Sequence, residues 1–123
     1  MLGELTRHDW QAFLKIPEHL IPPVLILRGT RNLKAQYELY RGYFDEVIEI
    51  GTPNGVLEDV LVGVSSGVRV AYASVYGGPM AAEVTHLFGV LGTSLVILTG
   101  CCGALADDIA AGDLVLATEA YCG

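Results

Sequence analysis

Val75-Tyr76-Gly77-Gly78-Pro79-Met80 and, further on, Leu95-Val96-Ile97-Leu98-Thr99-Gly100-Cys101-Cys102-Gly103 are the stretches that decide how this sequence folds. Each is an extended apolar run that gives out into glycines. The first opens a helix. Pro79 suits an initial turn, where its missing N–H is no loss, and Met80, Ala81, Val84, Leu87, Phe88 and Leu91 fall on one helical face with Glu83, Thr85 and His86 off it. After the second, Gly112-Asp113 launches another apolar run, Leu114-Val115-Leu116-Ala117, read as the last strand with Asp107-Asp108 in the turn before it. Turns of bare backbone at strand ends let amides approach a small, anionic molecule closely.

Upstream, Val24-Leu25-Ile26-Leu27 reads as the first clear strand, ended by Gly29-Thr30, with Thr30 placed to cap the next helix. Leu33, Tyr37, Tyr40 and Phe44 then recur at helical spacing. Val47-Ile48-Glu49-Ile50 is a short strand closed by Gly51, Pro53 and Gly55, and the apolar runs Val60 to Val64 and Val68 to Ala73 flank Ser65-Ser66-Gly67 as a hairpin. Nearer the N-terminus, Arg7 to Leu14 fits a short helix before Pro17, Pro22 and Pro23 break the chain. Strands interleaved with helices, with an antiparallel hairpin among them, predict an α/β fold: a mixed β-sheet flanked by helices. Residues 1–21 form an entry arm and 22–123 the fold itself.

The chain has 123 residues, enough for a single core and one domain. Its hydrophobic fraction is 52%, with a mean hydropathy of +0.47. No uninterrupted apolar run approaches the roughly 18 residues of a membrane span. The apolar surface is therefore expected to lie between subunits of a homo-oligomer rather than in a membrane. A net charge of -7 with seven scattered basic residues disfavours a nucleic-acid partner. Met1 to Arg7 has neither the basic start nor the apolar core of a secretory leader, so a cytoplasmic location is expected. Three cysteines, two of them adjacent, read as reduced thiols rather than as a disulfide framework or a metal site. Neither a metal nor a cofactor is implied.

The glycine turns carry the candidate chemistry. Gly77-Gly78-Pro79 aims a helix start at an anion, although the same glycines serve a sharp turn without a ligand. They do not make the dinucleotide fingerprint, which needs glycines at the first, third and sixth positions, whereas after Gly78 come Pro79, Met80, Ala81 and Ala82. Gly29-Thr30-Arg31 offers free amides, a hydroxyl and a guanidinium that would suit a phosphate, or else a plain helix start with a solvated Arg; Lys34 is a second such cation. Cys101-Cys102 has no His or acid at an activating spacing and reads as small apolar filler. Glu83 and His86 lie three apart but off the apolar face, as a solvated helix surface does. Asp107-Asp108, being adjacent, cannot flank a substrate as a glycosidase pair does.

Taken together, these segments resemble the nucleoside phosphorylase and uridine phosphorylase superfamily, which also holds the nucleosidases of methylthioadenosine and adenosylhomocysteine. Val24 to Thr30 resembles its first strand and phosphate-binding turn, and Val75 to Ala82 its glycine turn before a helix. Val96 to Gly103, Asp108-Ile109, Gly112 to Val115 and Ala117 to Ala120 resemble its central signature. The resemblance runs from Pro22 to Gly123 and implies the N-terminal half of a three-layer, phosphorylase/hydrolase-like fold. It further implies cleavage of the N-glycosidic bond of a purine or pyrimidine nucleoside, with inorganic phosphate or water as acceptor. By the same resemblance, Gly29, Thr30, Arg31, Gly100 and Cys101 would hold phosphate. Gly77, Gly78, Cys102 and Gly103 would face the nucleoside, and no catalytic side chain is assigned. The sequence departs from the family where its phosphorylases carry Asp and Arg after the first glycine, here Thr30 and Leu33. It departs again where they carry Arg and Ser or Thr around the central glycine, here Leu98 and Cys101. Those departures leave a second reading open, a non-catalytic relative that binds nucleoside or serves in assembly.

Overall fold

Residues 5–51 and 57–121 are described by a computed structural model. The apolar run Val24–Gly29 forms strand β1. It lies parallel between β4 (Val68–Val75) and β5 (Leu95–Thr99). β3 (Val60–Ser65) pairs antiparallel with β4 across a tight turn at Ser66 and Gly67. These two residues have φ of 51° and 78°, the pair of left-handed residues that a type I′ hairpin requires. β2 (Asp45–Glu49) adds antiparallel to β3 with an irregularity between Asp45 and Ile48, so the five-stranded sheet reads β2-β3-β4-β1-β5.

Alternation along the strands decides what each face buries. Leu25 and Leu27 of β1, Val60 and Val62 of β3, and Ala71, Ala73 and Val75 of β4 form the main core with Val84, Leu87, Phe88 and Leu91 of α3 (Gly77–Leu91). α1 (Arg7–Leu14) joins this layer through Trp10, and Ile16 follows it into the core, so the stretch read as an entry arm docks on the sheet's helical cover. On the other face Leu61 and Tyr72 meet Tyr37 of α2 (Leu33–Arg41). The result is the expected α/β arrangement, a mixed sheet between helical layers. Full burial of a side chain such as Phe88 or Leu91 contributes roughly 1.5–3 kcal/mol. Two local devices fix the ends of this layer. Thr6 and Asp9 make a reciprocal capping box at the start of α1, and Gly92, at φ 112°, closes α3 in the left-handed region. The Thr93 hydroxyl then donates to the Pro22 carbonyl at 2.8 Å, and the N–H groups of Ser94 and Leu95 donate to that of Pro23, which lays β5 alongside β1.

Some sequence expectations change. Thr30 does not cap α2: Asn32 holds the N-cap position, and the Thr30 hydroxyl instead accepts from the Asn32 N–H at 3.1 Å, tightening the turn. α2 ends at Arg41, so Phe44 lies beyond it, still packed against the Tyr72 cluster. Leu114 to Ala117 forms no strand: it pairs with no strand of the sheet, whose order ends at β5, and Leu114 and Leu116 are almost fully exposed. Cys101 and Cys102 are exposed thiols, not core filler. Pro53 and Gly55, expected to close a strand, and Met1 to Glu4, read for a leader, lie outside the described residues, as do Cys122 and Gly123. No helix among the described residues is long and apolar enough to cross a membrane.

Candidate functional site

Parallel pairing brings three turns to one edge. Gly29 is in register with Val75, and Arg28 with Thr99, so the chain leaves β1, β4 and β5 at the same carboxyl ends. Open α/β sheets present ligand sites there. The turns are also tied together: the Thr30 N–H donates to the Val75 carbonyl at 2.9 Å, and the Thr99 hydroxyl to that of Leu27 at 3.2 Å. A methyl added to Gly29 would stand 3.4 Å from the Thr99 carbonyl oxygen. Gly77 takes φ +79°, which a side chain would strain, and a methyl on Gly78 would meet nothing within 4 Å. No side chain caps α3, whose first N–H groups carry the positive end of the helix dipole. Tyr76, just ahead of them, donates its own N–H to the Met80 sulfur at 3.4 Å.

The sequence reading passed over Arg28, and the structure places it at this edge. It sits one position before Gly29 on the face of β1 that also carries Ile26, under α2. Its Nε donates to Gln36 Oε1 at 3.3 Å and one terminal nitrogen donates to Cys101 Sγ at 3.2 Å, linking β1 to the turn after β5. The guanidinium carbon lies 6.0 Å from the centre of the Tyr40 ring, which stacks on Tyr72 at 5.1 Å. The Cys101 contact holds the Arg28 pKa above its ordinary value against the opposing cost of burial. Behind it, the buried Tyr72 hydroxyl is hydrogen-bonded to the Ser74 hydroxyl at 3.2 Å, and burial raises its phenol above the usual range. One signal could have found Arg28: a lone charge inside an otherwise apolar strand, next to its terminal glycine.

Charge is distributed unevenly around the edge. The chain is acidic overall, yet no Asp or Glu falls between Asp59 and Glu83 or between Glu83 and Asp107, the stretches that supply two of the turns. Arg31 is exposed beside Gly29 and Thr30, as is Lys34 on the first turn of α2. Cys102 and Gly103 run on into the segment ending near Val115, with which they line an open groove of about 650 Å³. Glu83 and His86 are exposed on α3, as read, and with Trp10 and Met80 they edge a smaller cavity of about 130 Å³ on the α1 side. Beyond α2, Lys34, Tyr37, Glu38, Glu49 and Asp59 line a groove of about 440 Å³. Burial there pushes the Tyr37 phenol up to about 12 and raises the Asp59 carboxyl, helped by Glu58. No group of His, Cys, Asp and Glu able to hold a metal occurs among the described residues.

A sequence profile described as the phosphorylase superfamily matches residues 26–122. No curated protein matches the chain in sequence. Among solved structures, uridine phosphorylase from Vibrio fischeri ES114 is similar in fold, with a TM-score of 0.63 at 22% identity. The likeness covers 81% of this chain and 40% of that one, so this chain spans less than half the length of that enzyme.

Proposed function

We propose, for a chain that belongs to the phosphorylase superfamily, that its strand ends hold a nucleoside and inorganic phosphate for cleavage of the N-glycosidic bond. In that reaction the bond between the sugar's anomeric carbon and the base nitrogen breaks, a phosphate oxygen bonds to the same carbon, and the base leaves with the bonding pair and takes up a proton. The sugar is cationic at the transition state. What such a step needs from a protein is a held anion beneath the ring and fixed donors that do not reorganise. The convergence of the Gly29, Gly77 and Gly100 turns on one edge, with bare glycines and no carboxylate in any of the three turns, is the observation that carries this reading. Gly29, Thr30, Arg31, Gly100 and Cys101 would contact the phosphate, and Gly77, Gly78, Cys102 and Gly103 the nucleoside. The exposed apolar β5, with Leu95 and Leu98 half or more uncovered, supports assembly of several copies.

A second reading, a binding or assembly module without turnover, draws on one observation. None of the three turns carries an Asp, Glu or His that could pass a proton to the leaving base. Nucleobase release from purine and pyrimidine nucleosides, with and without phosphate, separates the two. Phosphate-dependent release supports the first; saturable nucleoside binding with no release in either condition supports the second and overturns the first for this chain.

A further inference from the structure

Five arginines are present, and their surroundings differ. Arg7 and Arg41 are each neutralised by a carboxylate, Glu18 at 2.8 Å and Glu49 at 2.7 Å. Arg69 lies at the hairpin end of β4, remote from the glycine turns. Arg31 is exposed to water. Arg28 alone combines partial burial with two anchored contacts and, among the described residues, no carboxylate partner.

Those contacts leave the guanidinium oriented but poorly satisfied. Of its five N–H groups, two are engaged, one by an amide oxygen and one by a thiol sulfur. Sulfur is a weak acceptor, whereas anionic oxygens form the strongest and most directional bonds a guanidinium makes. The Tyr40 ring under the group and the Gln36 bond to Nε fix the fork in place, so an incoming anion need not order it. Cys101 is exposed on a turn and can yield its place. The three glycine turns supply amides around the same edge but no other half-buried cation.

We propose that Arg28 is the cation that holds the phosphate-type anion at the strand ends, its guanidinium exchanging the Cys101 sulfur for anionic oxygens. The proposal rests on the reading of this edge as a phosphate site and deepens it by naming the charge that the departures at Leu33 and Leu98 left unsupplied. Arg31, exposed to water, would then meet the same anion from its solvent side.

Inorganic phosphate titrated into the full chain, followed by calorimetry, tests this without requiring turnover. Wild type is expected to bind saturably, and Arg28→Gln to bind at least about tenfold more weakly, the loss of a charge-assisted fork. Arg28→Lys should fall between, since an ammonium keeps the charge and loses the bidentate geometry. Arg69→Gln serves as the control and should match wild type. Cys101→Ala, which removes the competing sulfur and keeps the Cys101 backbone amide that would face the phosphate, should bind more tightly than wild type; a purely structural Arg28–Cys101 bond would leave the affinity unchanged or lower it. Should Arg28→Gln fail to fold, Arg28→Lys and Cys101→Ala carry the test. Wild-type affinity in folded Arg28→Gln or Arg28→Lys, binding by Cys101→Ala no tighter than wild type, or no saturable phosphate binding by wild type overturns the proposal. Absence of nucleobase release with phosphate binding intact would count against the phosphorolysis reading alone.

Discussion

Gly77 and Gly78 are adjacent, and alanine at each should act in opposite directions. At Gly77 the backbone has φ +79°, and the only near neighbour of an added methyl would be Pro79 Cδ at 3.7 Å, an ordinary contact. The whole penalty is then left-handed strain, about 1–2 kcal/mol for a residue with a Cβ. At Gly78 the backbone is not left-handed and an added methyl meets nothing within 4 Å. Alanine there restricts the unfolded chain and should stabilise by about 0.4–1 kcal/mol. Urea unfolding followed by far-ultraviolet circular dichroism measures both. With a penalty of about 1–2 kcal/mol and a denaturant slope of about 1–3 kcal/mol per molar, Gly77→Ala should lower the midpoint by about 0.3–2 M, with the slope unchanged. Gly78→Ala should raise it slightly. A Gly77→Ala midpoint at or above wild type would refute the turn geometry, and with it the presentation of the α3 amides at the sheet edge. A stable Gly78→Ala chain that no longer binds nucleoside would link the open space above that residue to a ligand.

Gly63→Ala should destabilise by about 1–3 kcal/mol through overpacking, because the new methyl would stand 2.8 Å from the Phe44 Cβ and 3.2 Å from the Asp45 carbonyl; equal unfolding midpoints would contradict that packing. Tyr37 makes alkaline stability a test of its burial. Its phenol moves from 10.0 to about 12 on folding, so the folded state holds the proton more tightly. That contribution is intact below pH 10 and is lost as the pH rises from 10 through about 12, and Tyr37→Phe should flatten this part of the stability profile. If the exposed apolar strand β5 joins copies of the chain, sedimentation should give a mass above the 13.1 kDa of one copy, and Leu98→Lys should lower it. A monomeric wild type would contradict assembly through that edge.

Local pattern carried most of the fold. The helix from Arg7, the hairpin around Ser66-Gly67 and the amphipathic stripe ending at Leu91 each follow from spacing alone, and each forms where expected. The failures share a cause, since they depend on what lies across space rather than along the chain. Leu114 to Ala117 has a strand's composition, but pairing requires a neighbour that the pattern cannot supply. The Cys101-Cys102 pair reads as apolar by residue type, whereas burial is decided by cover, and the segment after β5 is exposed nearly throughout. Thr30 has a capping side chain and spends it on the Asn32 N–H, a choice set by turn geometry. At the candidate site the three glycine turns, which parallel pairing brings to one edge, were legible as the ends of apolar runs. Arg28 was not, because its significance lies in Gln36, Tyr40 and Cys101, which are distant in sequence or on another element.

The measurement that bears most directly on a shared site at the three strand ends is a map of backbone amide shifts by NMR as phosphate and then a nucleoside are added to the labelled chain. Phosphate is expected to shift Gly29, Thr30, Gly100 and Cys101 together with the Arg28 side chain, and the nucleoside to extend the shifts to Gly77, Gly78, Cys102 and Gly103. Saturable shifts confined to the groove beside Glu38 and Asp59 or to the cavity beside Trp10 and His86, with the three turns unmoved, would contradict a nucleoside and anion site at the carboxyl ends of β1, β4 and β5.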